Sequence, residues 1–88
     1  MNMEIFNHEN YEDMLAFVQS YIQDKEFTVF DHPTLIHPES FGVEIKIAST
    51  RKINNVASRF VLHFGTREDI EGQMDMKIEE LKRLLELQ

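Results

Sequence analysis

A small α+β domain is the fold class that this sequence predicts: α-β-(short β)-β-β-α, an antiparallel sheet with two amphipathic helices packed on one face. Three observations lead there. Near each end of the chain, apolar residues recur at three- and four-residue spacing, the pattern of a helix with one buried stripe. Between those stretches the period falls to two, as in strands with one buried face. Finally, 88 residues hold one core and no second, so residues 1–88 form a single domain.

The first helix is expected from about Glu9 to Lys25, where Tyr11, Met14, Leu15, Val18, Tyr21 and Ile22 make the stripe. Asn7 or Asn10 can cap it, with Phe6 and Tyr11 placed as a hydrophobic staple. Phe17 lies beside the stripe and either widens it or is partly exposed. In EFTVFD, Phe27 and Val29 belong to one face, Thr28 and Phe30 to the other. The segment 41-FGVEIKIAS-49 turns Phe41, Val43, Ile45 and Ile47 inward, and 57-ASRFVLHFG-65 does the same with Phe60, Leu62 and Phe64. Asn54-Asn55 is the best turn between these two strands. Thr66 opens the last helix, with Asp69 three residues on as an acidic variant of the capping box. Ile70, Met74, Ile78, Leu81 and Leu85 form its buried line, joined by Leu84, and its final turn, with Leu84, Leu85 and Leu87, is expected to overhang the sheet.

The stretch 30-FDHPTLIHPES-40 holds His32-Pro33 and His37-Pro38 with Asp31 and Glu39 outside them. Imidazole and carboxylate suit zinc, but the spacing matches no ligand signature, and in one extended strand His32 and His37 point to opposite faces. Proline lacks an amide donor and favours extended geometry before it. The two prolines therefore read as brackets around TLIH, a short edge strand guarded against pairing with other chains.

The chain has no cysteine, so disulfides and thiolate chemistry are excluded, and a reducing cytoplasm is the expected compartment. MNMEIFNHEN has neither the basic nor the apolar region of a signal peptide, and no apolar run reaches the roughly 20 residues of a membrane span. No GxSxG, GxGxxG or GxxxxGK[ST] pattern occurs, so no catalytic residue, metal or cofactor is assigned.

The formal charge is −7 and unevenly placed. Residues 1–49 hold nine acids against Lys25 and Lys46; residues 50–65 hold Arg51, Lys52 and Arg59 with no acid; residues 66–88 hold seven acids and four bases. Direct nucleic-acid binding needs a broad basic surface and is disfavoured. The element order resembles that of double-stranded-RNA-binding domains as topology alone. Those domains grip phosphate with lysines at the start of the last helix, where this chain reads 66-TREDIEG-72.

The reading that follows is a non-enzymatic protein–protein interaction module whose acids meet a basic target, such as the phosphate-binding channel of a nucleic-acid enzyme. The composition is similar to that of phage and mobile-element inhibitors, including anti-CRISPR and anti-restriction proteins that imitate DNA charge. Candidate contacts are Glu9, Glu12, Asp13, Asp24, Glu68, Glu71, Asp75 and Glu79, with Phe30 as an aromatic anchor on the uncovered sheet face. The alternative is a small homo-oligomeric structural or accessory protein joined through Leu84 and Leu87. A metal-binding or catalytic protein centred on the histidines is the third reading.

Overall fold

A computed structural model describes residues 4–38, 41–51 and 56–86. Five elements follow in order: α1 (Tyr11–Gln23), β1 (Phe27–Leu35), β2 (Gly42–Ser49), β3 (Ala57–His63) and α2 (Arg67–Glu86). The strands form one antiparallel sheet in sequence order, β1-β2-β3. Helix α1 lies against β1, α2 against β3, and the helices touch each other. This is the expected α+β class.

The period-two pattern of β2 fixes which sheet face is covered. Val43, Ile45 and Ile47 are fully buried, while Glu44, Lys46 and Ala48 between them remain partly open. Met14, Val18 and Ile22 of α1 and Ile70, Met74, Ile78 and Leu81 of α2 close over that inner face. Each such side chain contributes about 1.5–3 kcal/mol when fully removed from water. Phe17 widens the α1 stripe: it is half-buried and stacks on buried Phe6, with ring centroids 5.9 Å apart.

Strand β1 runs through Pro33 and absorbs the short strand expected at TLIH, so the proline lies inside the element and does not bracket it. The register moves from Phe30↔Lys46 to Thr34↔Glu44, leaving Asp31, His32 and Pro33 opposite Ile45 alone. Asp31 makes the bulge possible by adopting φ 68°, a left-handed conformation that Asp tolerates better than most residues. Phe41 also departs from expectation, at 48% exposure. Strand β2 begins only at Gly42, so strand alternation does not bind the residue before it. The Phe41 N–H donates to the Pro38 carbonyl (3.0 Å), and its ring packs edge-on against His63, 4.8 Å between centroids. Gly42 itself has to lack a side chain, because a Cβ there would collide with the Leu62 carbonyl oxygen of β3.

The helix ends differ from each other. Asn10 occupies the cap position of α1, yet its side chain turns back into the lead-in: Oδ1 accepts the Asn7 N–H (2.7 Å) and Nδ2 donates to the Ile5 carbonyl (3.0 Å). The expected side-chain cap is therefore absent, and α1 starts two residues later than Glu9. At α2 the capping box closes in both directions: the Asp69 N–H donates to Thr66 Oγ1 (3.1 Å) and the Thr66 N–H to Asp69 Oδ2 (2.9 Å).

Candidate interaction surfaces

The helical layer collects the negative charge. From residue 9 to 25 there are four acids and one base, Lys25, and α2 adds seven acids against four bases. Residues 26–63, which supply the sheet, hold four of each sign. Glu12, Asp13, Asp24 and Glu68 are exposed and make no ion pair among the described residues. Glu9 is exposed with His8 Nε2 at 3.9 Å, and Glu79 pairs with Arg83 one helical turn on at 3.4 Å. Asp75 joins the helices by accepting the Tyr21 hydroxyl at 2.8 Å. That hydrogen bond, with some desolvation and the nearby charges of Asp75 and Glu71, pushes the Tyr21 phenol up to about 12. Thus Glu71 and Asp75 are brought to the seam with α1, while Glu12, Glu68 and Glu79 face solvent.

Two residues in this layer cost helix stability. Asp24 is a negative charge at the C-terminal end of α1, where the helix dipole disfavours anions. Gly72 stands exposed within α2, and a Cβ added there would meet nothing within 4 Å. A mid-helix glycine costs about 0.5–1 kcal/mol relative to alanine.

Among the described residues, no helix covers the other face of the sheet. Phe30, 52% exposed, is directly paired with Lys46, which is paired in turn with Arg59, so the three form one cross-strand row. Lys46 Nζ lies 5.0 Å from the Phe30 ring centroid. Arg59 reaches Glu44 at 3.4 Å and Asp31 at 3.5 Å, spanning all three strands. On one side of this row, Thr28, Ala48 and Ala57 floor a shallow trough of about 390 Å³ walled by Phe30 and Lys46. On the other side lie Glu44 and Val61, then Gly42 and His63 beside Phe41. Phe30 is therefore separated by the sheet from every acid that was grouped with it.

His32 and His37 are both exposed, one at the β1 bulge and one just beyond the strand. No group of three or more His, Asp or Glu able to hold one metal ion occurs among the described residues. Leu84 is 45% exposed near the end of α2, while Leu85 packs on the core. Leu87, Glu39 and the Asn54-Asn55 turn lie outside the described residues. No helix among the described residues is long and apolar enough to cross a membrane. No protein-family model matches the chain, and no curated protein or solved structure matches it.

Two glutamines with no signature in the sequence tie the helices to the edge strands. Gln19 Oε1 accepts the Val29 N–H at 2.8 Å on β1. Gln73 accepts the His63 N–H at 2.8 Å and donates to its carbonyl at 2.9 Å on β3. Each partner is a backbone group some ten residues away, so no side-chain pattern announces either bond. Position on the strand-facing flank of each helix was the only available signal.

Proposed function

We propose that this protein is a non-enzymatic interaction module that offers its acidic helical layer to a basic surface on a target protein. The supporting observation is the division of charge by layer: helices strongly negative, sheet segment balanced. Such a surface raises the encounter rate with a positive partner and repels nucleic acid. Asp24 favours the same reading, since it adds negative charge at a helix end whose dipole disfavours it. Target classes with deep positive potential include enzymes that bind nucleic acid through phosphate, and an inhibitor that imitates DNA charge is the narrower form of the proposal.

The test is capture of partners from source-cell extract by wild type and by the variant Glu12→Gln/Glu68→Gln/Glu71→Gln/Glu79→Gln, over a salt series. The proposal expects a partner that the wild type holds at low salt, releases at high salt, and the neutralised variant does not hold. Displacement of that partner by duplex DNA supports the inhibitor form. Capture unaffected by salt and by neutralisation overturns the helical surface as the contact.

A further inference from the structure

We propose that the uncovered sheet face is a self-association surface, on which a second copy of this chain packs sheet to sheet about a two-fold axis. The face is complementary to itself. Its Lys46–Arg59 row adjoins a row containing Glu44, with Asp31 within reach, giving two bases beside two acids. A two-fold axis parallel to these rows and lying between them sets Lys46 of each copy over Glu44 of the other. The same rotation keeps each strand over its own counterpart, the aligned arrangement that stacked sheets favour. It also turns the Phe41–His63 ring pair of one copy toward the trough floored by Thr28, Ala48 and Ala57 of the other. One operator thus pairs Lys46 with Glu44 twice and sets the ring pair over the trough.

A second copy fits better than the basic partner assigned to the helices, because this face has no net charge to attract one. The helical layers, each negative, would repel one another and are held apart on the outside of such a dimer. Phe30 and Phe41 are two of the five large hydrophobic side chains described as exposed, and both border this face. With three strands about 4.8 Å apart and about 3.3 Å per residue, the face measures roughly 15 by 25 Å. Two such faces give a footprint of roughly 750 Å² in total, below the roughly 1,200 Å² at which stable specific interfaces begin, so the contact is a weak one. Association is accordingly expected only at high micromolar to millimolar concentration.

The experiment is sedimentation velocity on the full chain from micromolar to millimolar concentration, for wild type and three surface variants. Wild type should shift from 10.4 kDa toward twice that mass. Lys46→Glu and Glu44→Lys should each weaken association by about tenfold or more, because like charges then face each other twice. Mixing those two variants should restore a heterodimer, and the double variant Lys46→Glu/Glu44→Lys should again pair with itself. Circular dichroism on each variant separates a lost contact from a lost fold. A wild type that stays monomeric at the highest concentration overturns the proposal. So does a dimer that survives both single reversals and breaks with Leu84→Glu. Neither result bears on the helical surface, whose acids these variants leave in place.

Discussion

The helical surface and the open sheet face are built from the same small chain but manage charge in opposite ways. On the helices, Glu12, Asp13, Asp24 and Glu68 stand exposed with no ion pair among the described residues. On the sheet, Arg59 lies between Asp31 and Glu44, and Lys46 lies over Phe30. On the proposed reading, the helices supply long-range attraction to a basic target and the sheet a neutral, contact-forming surface.

The sharpest way to break the comparison is to cross β2 by one residue. Ile45→Ala empties a fully buried site and should cost about 2–5 kcal/mol in urea denaturation. Lys46→Ala on the opposite face should stay within about 0.5 kcal/mol. Similar costs for both would mean that the open face is not open. Gly42→Ala is next, with an expected loss of about 1–3 kcal/mol, because the obstacle is the backbone of β3 and cannot swing aside. A smaller effect of opposite sign is expected on the helical surface: Gly72→Ala should stabilise by about 0.5–1 kcal/mol, read as a higher denaturation midpoint.

The seam between the helices gives a pH test. The folded state raises the Tyr21 phenol from 10 to about 12, so it prefers the protonated form. The resulting stabilisation is fully present below pH 10 and is lost as pH rises toward 12. Tyr21→Phe should remove that alkaline decline and lower neutral stability by about 0.5–1 kcal/mol, through loss of the hydrogen bond to Asp75. An unchanged alkaline profile would place the bond outside the folded state in solution. The smallest effect is expected from Asp24→Asn, which should stabilise α1 by about 0.3–0.5 kcal/mol at low salt and less at high salt.

Side-chain periodicity carried most of this fold into view. Val43, Ile45 and Ile47 against Glu44 and Lys46 identify the covered face without any structure, and Thr66 with Asp69 marks the start of α2. Backbone-controlled features were less legible. The β1 bulge depends on Asp31 adopting a positive φ, a conformation that its neighbours in sequence do not require. Phe41 follows the strand alternation in sequence but falls just before β2, where its N–H donates to the Pro38 carbonyl and its ring meets His63. Of the candidate site, the acids and Phe30 were visible as residues, but their separation onto opposite sides of the molecule was not. Strand alternation shows that Phe30 is outside; only the placement of both helices shows that the acids are on the far side.

The most direct test of this division is the salt dependence of affinity for the captured partner, measured by calorimetry for three proteins. These are wild type, the four-fold helical Gln variant and Lys46→Glu. Wild-type affinity should fall steeply with salt, the helical variant should lose both affinity and most of the slope, and Lys46→Glu should keep both. Affinity that ignores salt, or that Lys46→Glu abolishes while the helical variant preserves it, would contradict the account.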